Sequence, residues 1–208
     1  MPRRIGLAFM AVASLMAMGA GEVRAQDGVV FGFELGYKEM GGDLGDVLDG
    51  GIVGEYSFVY QKGQFRYGLA FNLVSLDVVE PFDESVSQVG ASLLWTWLIK
   101  QETSVLPYLE LRLGGVRYRP EGDTFAPEEP VQLDEDEEEG ENAADAVNGF
   151  EGSLLAGAEF AISKKFAIDL SAAFSFISTE EVDLSAIGLG PVDSGTAWSI
   201  RLGLRWNP

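Results

Sequence analysis

The sequence contains neither cysteine nor histidine. Without cysteine the chain forms no disulfides and no thiolate metal sites. Without histidine it lacks the most common general base, the most common zinc ligand and the base of every Ser-His or Cys-His nucleophile pair. These absences remove most hydrolase chemistry. We therefore expect a protein that is not an enzyme and that holds no metal or cofactor.

Basic residues are also scarce. The 208 residues include 14 Lys and Arg against 33 Asp and Glu, which gives a formal net charge of −19. Because phosphate binding needs a basic face, this composition predicts that the protein has no nucleic-acid partner. Hydrophobic residues nevertheless make up 47% of the chain. The acidic residues must then be concentrated in part of the sequence.

A single long uncharged run lies near the start of the sequence, from Ile5 to Ala20. It follows the basic pair Arg3 and Arg4, and Ala25 supplies a small residue at a cleavage position. A helix that spans a bilayer needs about 20 apolar residues, and this run is shorter. We therefore predict that residues 1–25 are a cleaved secretory signal peptide and that residues 26–208 form one exported domain.

Eight segments of the exported domain alternate bulky apolar residues with smaller or polar ones. In the first segment Val29, Phe31, Phe33, Leu35 and Tyr37 share one face, and Glu34 lies among the residues of the other. This period of two predicts a β-strand. The other seven segments carry their apolar residues within 52–60, 65–73, 89–97, 107–113, 154–162, 168–176 and 198–206.

The connectors between these segments alternate in length. Three are short, at 61–64, 99–104 and 163–165, and resemble hairpin turns. Four are long, at about 38–51, 77–87, 120–148 and 179–195. Short turns at one end and long loops at the other are typical of outer-membrane barrels. The sequence therefore predicts an all-β fold, an eight-stranded antiparallel up-and-down transmembrane β-barrel.

The two faces of the predicted strands differ in charge. The bulky apolar face carries no charged residue, whereas the other face mixes small residues with charged ones. An eight-stranded barrel has an interior just wide enough to be filled by side chains, so we expect the bulky face to contact lipid. A soluble barrel of reversed orientation is the alternative, but its surface would be mostly Gly, Ala and Ser. The predicted lumen network consists of Glu34, Glu55, Arg66, Glu110, Arg112, Glu159, Asp169, Arg201 and Arg205.

Strand length, connector pattern and aromatic placement together resemble a known family. Trp198 and Trp206 lie at the two ends of the last strand's apolar face, where interfacial aromatic girdles occur. The exported domain resembles small outer-membrane β-barrel proteins of Gram-negative bacteria, of the OmpA transmembrane-domain and OmpX kind. The resemblance implies a monomer in the cell outer membrane that contacts outer-membrane lipid and lipopolysaccharide. It also implies insertion by the barrel-assembly machinery, for which an aromatic residue at the chain end resembles an address. Here Trp206 is followed by Asn207 and Pro208, so this signal is displaced by two positions.

Two functions fit a barrel of this size. We expect a structural or surface-interaction role in which the charged lumen residues form a salt-bridged plug. The alternative is a narrow, porin-like channel for small or apolar solutes, with the same charges along the conduction path. Glu151 and Glu159 do not suit acid-base catalysis, because eight strand residues separate them by about 26 Å.

The negative charge is concentrated in the third long connector. From Glu121 to Asp145 the sequence is rich in acidic residues and contains no Lys or Arg. A run of like charges repels itself and favours an extended, solvated loop. Carboxylates also attract divalent cations, but the run lacks the spacing of a formed calcium site. We expect at most diffuse divalent-cation association, which could bridge to lipopolysaccharide.

Overall fold

The computed structural model describes residues 27–79, 85–99, 104–121, 147–183 and 191–208. The predicted signal peptide and nearly all of the predicted acidic loop lie outside the described residues. Within the described part, no helix is long and apolar enough to cross a membrane.

The chain forms eight antiparallel strands in up-and-down order. Each strand pairs with its neighbours in sequence, and pairing of the first strand with the last closes the barrel. The predicted fold class is therefore confirmed. The strands are β1 (Gly28–Gly41), β2 (Leu48–Lys62), β3 (Phe65–Val78), β4 (Ser85–Leu98), β5 (Val105–Glu121), β6 (Val147–Ala161), β7 (Phe166–Asp183) and β8 (Pro191–Trp206).

Short turns join the strands at one end of the barrel. The turn between β2 and β3 places Gly63 at φ +61°, a left-handed conformation that glycine adopts without a steric penalty. The Gly63 N–H donates to Asp27 Oδ1 at 2.7 Å, which ties this turn to the residue that precedes β1. This contact holds the start of β1 against the turn between β2 and β3.

At the other end of the barrel the strands are longer than predicted. The connector expected at 38–51 is shorter, because β1 continues to Gly41 and β2 already begins at Leu48. Between them lies a 3-10 helix, η1 (Asp43–Asp46). The connector expected at 179–195 is shorter too, since β7 reaches Asp183 and β8 begins at Pro191. The strands thus exceed the 9–11 residues that a tilted strand needs to cross the hydrocarbon layer.

The bulky apolar residues face outward on every strand, as predicted. Ile52 and Leu93, for example, are 69% and 67% exposed. Aromatic residues pack across neighbouring strands on this surface, and Phe31 lies 5.3 Å from Trp206 between ring centroids. Such an exposed apolar surface is far larger than the patches that soluble proteins tolerate.

The interior of the barrel contains apolar clusters as well as charged residues. The largest cluster lies at the long-loop end, and we call it the apolar plug. All eight strands and η1 contribute to it, so it extends across the barrel. Its members are Met40, Leu44, Leu48, Val53, Val74, Leu76, Val86, Val116, Tyr118, Ile177 and Ala197, with Val47, Val78 and Val147 packed against them.

Candidate functional site: the barrel lumen

The structure places all nine predicted lumen residues inside the barrel. Each of them is at most 6% exposed, because each lies on the inward face of its strand. Two further charged residues, Lys38 and Glu151, are also buried there. The described lumen therefore contains six carboxylates and five basic groups.

Glu55 is the centre of the network. Its Oε2 atom accepts hydrogen bonds from Arg112 and from Arg201, the latter at 2.6 Å. Arg112 also donates through Nε to Glu110 at 2.5 Å, and the Thr96 hydroxyl donates to the same carboxylate at 2.5 Å. These contacts join β2, β4, β5 and β8 across the interior of the barrel.

Arg205 forms a second centre, closer to the short-turn end. It donates to Glu34 at 2.5 Å and to the Ser57 hydroxyl at 2.8 Å. Its Nε atom lies 3.5 Å from Asp169 and 3.7 Å from Glu159. One guanidinium thus interacts with three carboxylates, which keeps these buried negative charges from being left uncompensated.

Two buried pairs complete the short-turn side. Arg66 and Glu159 form two parallel hydrogen bonds, and Arg66 Nε donates to Gln61 at 2.7 Å. The Tyr108 hydroxyl donates to Asp169 at 3.0 Å. Bidentate arginine-carboxylate contacts are the strongest ion pairs available to side chains.

A third centre lies between the charged middle of the lumen and the apolar plug. Lys38 donates to Glu151 at 2.9 Å and to Gln88 at 3.1 Å, and Gln88 donates to Glu151 at 3.1 Å. Lys38 falls in a predicted loop, and Glu151 is not part of the predicted network. Residues 38 and 40 share the inward face with Glu34 and Gly36, because every second residue of a strand lies on the same face. This register was the signal that could have placed Lys38 in the lumen.

Little space is left between these side chains. One cavity, with room of about 20 Å³ for water, is lined by residues that include Asn72, Arg112 and Arg201. Asn72 Oδ1 and Arg112 Nη2 have no hydrogen-bond partner among the described residues, so the cavity offers polar groups to bridging water molecules. No group of three or more potential metal ligands occurs in the described part of the chain.

The arrangement is therefore that of a packed polar core. Every basic group of the described lumen contacts a carboxylate, and the apolar plug covers the network at the long-loop end. The lumen holds no histidine, since the chain has none.

Comparison with solved structures places this architecture in a class. The chain superposes on Neisserial surface protein A with a TM-score of 0.60 and 12% identity, covering 90% of this chain and 98% of that one. The N-terminal β-barrel domain of Pseudomonas aeruginosa OprF matches at 10% identity with a TM-score of 0.40, covering 87% of this chain and 100% of that one. The outer-membrane enzyme PagL matches at 14% identity with a TM-score of 0.43, covering 86% and 99%.

The protein therefore has the fold of the small eight-stranded outer-membrane β-barrels. This likeness concerns the fold, since the sequence identities are low. No protein-family model matches the sequence, and no curated protein matches it.

Proposed function

We propose that the protein is an integral outer-membrane barrel with a structural or surface-interaction role, and that its lumen is a core that conducts no solute. The observation that carries this proposal is the pairing of an apolar outer surface with an interior closed by the apolar plug. In a soluble protein the apolar outer surface would be exposed to water. In a porin an aqueous channel would replace the closed interior.

Closed β-barrels suit the hydrocarbon layer because every backbone N–H and C=O group is paired between strands. The outward apolar face of this barrel meets the same requirement for side chains. The short turns would lie on the periplasmic side and the long loops on the cell surface, as is usual for this architecture. We propose that the long loops, including the acidic residues 122–146, carry any recognition of surface partners.

The partners that follow from this location are outer-membrane lipid, lipopolysaccharide and the barrel-assembly machinery. We propose that the barrel inserts as a monomer, because closure leaves no strand edge for a second copy to extend. Diffuse divalent cations at the acidic loop belong to the same proposal.

Conductance in planar lipid bilayers tests the role of the lumen. We expect the wild-type barrel to produce no stable current steps in KCl solution. Replacing Met40, Leu44 and Leu76 together by alanine removes large side chains from the plug and should produce current steps. Leu202→Ala, which shortens an outward side chain, serves as the matched control and should leave the bilayer silent.

The channel function makes the opposite prediction. If wild-type protein conducts and Arg201→Ala changes the size or ion selectivity of the current, the barrel is a narrow channel and the proposed structural role fails. Turnover of a lipid substrate by purified protein would instead show an enzyme. We expect no such turnover, because the chain lacks histidine.

A further inference from the structure

Arg117 and Arg119 differ from every other arginine in the described part of the chain. Arg66, Arg112, Arg201 and Arg205 are buried in the lumen and ion-paired there. Arg117 and Arg119 instead lie on the outward face of β5, where both side chains are exposed. Neither forms an ion pair with a described residue. These two guanidinium groups are therefore without an ion-pair partner in the described part of a chain whose net charge is −19.

The height of this pair follows from the outward residues of β5. Leu109, Leu111 and Leu113 are exposed and apolar, and Gly115 comes next. Pro107 lies near the start of β5, at the short-turn end, and Arg117 comes ten residues later. A tilted strand crosses the hydrocarbon layer with 9–11 residues. Arg117 therefore lies at the long-loop boundary of the apolar band. Arg119 lies about 7 Å further along the strand on the same face.

The described residues in register with the pair carry no charge. Arg117 is in register with Val89 on β4 and with Asn148 on β6. Arg119 is in register with Ser87 on β4. These neighbours are apolar or neutral hydrogen-bonding residues, so none of the three forms an ion pair with the guanidinium groups.

Elsewhere the described long-loop rim is acidic. Asp49 and Asp77, at the corresponding ends of β2 and β3, are both exposed. The only other basic side chain at this end of the described barrel is Lys38, which is buried against Glu151. Arg117 and Arg119 therefore form a single positive site on an otherwise negative rim, which we call the β5 arginine pair.

We propose that the β5 arginine pair binds the phosphate groups of a phosphorylated glycolipid in the outer leaflet. This inference rests on the proposed membrane insertion, which brings the pair to the level of lipid headgroups. Arginine binds phosphate through two parallel hydrogen bonds, and the two arginines, whose backbone positions are about 7 Å apart on one face, can each bind one phosphate group of such a lipid. Nucleic acid, the other common source of phosphate, would be repelled by the net negative charge of the chain.

Native mass spectrometry tests the proposal on the full exported chain, purified from membranes in a neutral detergent. The probe is diphosphorylated lipid A, titrated alongside the same lipid with both phosphates removed. We expect wild-type protein to prefer the diphosphorylated form. Arg117→Gln combined with Arg119→Gln should weaken that binding about tenfold or more, because two charge-assisted contacts are lost.

The turn between β6 and β7 supplies the matched control. Lys164 and Lys165 are also adjacent and exposed, but they lie at the opposite rim. Lys164→Gln with Lys165→Gln should leave lipid A binding unchanged. Arg117→Lys with Arg119→Lys should give intermediate affinity, because the charge stays while the two-pronged geometry is lost.

Three results would overturn the proposal. The first is unchanged lipid A binding when Arg117 and Arg119 are replaced by Gln. The second is an equal loss of binding when Lys164 and Lys165 are replaced by Gln, and the third is equal affinity of the wild-type protein for phosphatidylglycerol. The last two would assign the effect to general surface charge. Recovery of a folded, heat-modifiable barrel from the membrane fraction is measured separately. Failure of that measurement would count against the proposed function, whereas failure of lipid A binding by an inserted barrel would count against this site alone.

Discussion

Leu202 and Ser199 are three residues apart on β8 but face different environments. Leu202 is exposed at the middle of the outward face, between Trp198 and Trp206. Ser199 is buried in the lumen, where its hydroxyl accepts a hydrogen bond from Arg201 at 3.1 Å. The two positions therefore distinguish the lipid face from the core at the scale of single residues.

Leu202→Arg should impair assembly, because a charge near the middle of the hydrocarbon layer costs about 2–4 kcal/mol in a transmembrane barrel. The folded fraction can be measured by heat-modifiable gel mobility after insertion into lipid vesicles. Leu202→Phe keeps the position apolar, and Ser199→Thr keeps the lumen hydroxyl, so both should insert normally. Equal yields of Leu202→Arg and wild type would contradict the assignment of the outward face.

Glu55 is the residue on which the lumen network depends most. Glu55→Gln would remove the negative charge that Arg112 and Arg201 share. Breaking a buried ion pair from one side costs about 3–5 kcal/mol, because the partner charge stays buried and unpaired. We expect a matching decrease in the free energy of unfolding, measured by urea titration of the barrel in vesicles.

Asp77→Asn is the control for this change, since it also removes one carboxylate but at an exposed position. Substitutions at such surface positions usually change stability by less than about 0.5 kcal/mol. If both variants lost the same small amount, the lumen network would have no special role in stability.

At the scale of elements, η1 depends on a glycine in the strand that faces it. A Cβ atom added at Gly195 would lie 2.7 Å from Leu44 Cβ and 2.9 Å from the Gly41 carbonyl oxygen. Gly195→Ala should therefore displace η1 and loosen the apolar plug. The expected result is faster amide hydrogen exchange at Gly45 and Val47, whose N–H groups donate within this segment.

Gly54→Ala is the matched control for the exchange measurement. Its added Cβ would meet only Leu35 Cδ2, at an ordinary 3.6 Å. Unchanged exchange at η1 in the Gly195 variant would show that the helix does not pack as described.

The existence and order of the eight strands could be predicted because lipid demands a strict alternation over the spanning residues. The positions of the strand ends could not be predicted in this way. Lys38 is followed by Glu39, so the apolar alternation of β1 has already ended there. Glu151 precedes Leu154, the first apolar residue of the predicted sixth strand, although the outward residue Phe150 shows that β6 starts earlier. The burial of Lys38 and Glu151 depends on pairing across the barrel, which the sequence of one strand does not show.

The apolar plug escaped prediction for a related reason. Leu76 and Val116 face inward, while their outward neighbours include the polar residues Asp77 and Arg117. Near the long loops the apolar side of these strands therefore changes from the outside to the inside, and the pattern of the spanning residues ends. The predicted lumen residues were all placed correctly on the inward face, but their partners were not predictable. Which carboxylate meets which arginine depends on the tilt and stagger of the closed barrel.

At the scale of the whole molecule, charge and apolar surface are sorted into separate regions. The described interior holds nearly balanced, paired charges, and the outward band is uncharged. The sequence segment 122–146 contains 11 of the 33 acidic residues and no basic residue. This separation is what a molecule needs to satisfy lipid, a packed core and water at once.

The lipid contact of the outward band is the central claim, and the absence of native cysteine makes it directly measurable. Single cysteines at Ile200, Leu202 and Leu204 would each carry a fluorescent probe on barrels reconstituted in lipid vesicles. We predict quenching of all three probes by lipids with brominated acyl chains and little quenching by aqueous iodide. Strong iodide quenching without lipid quenching would contradict the account.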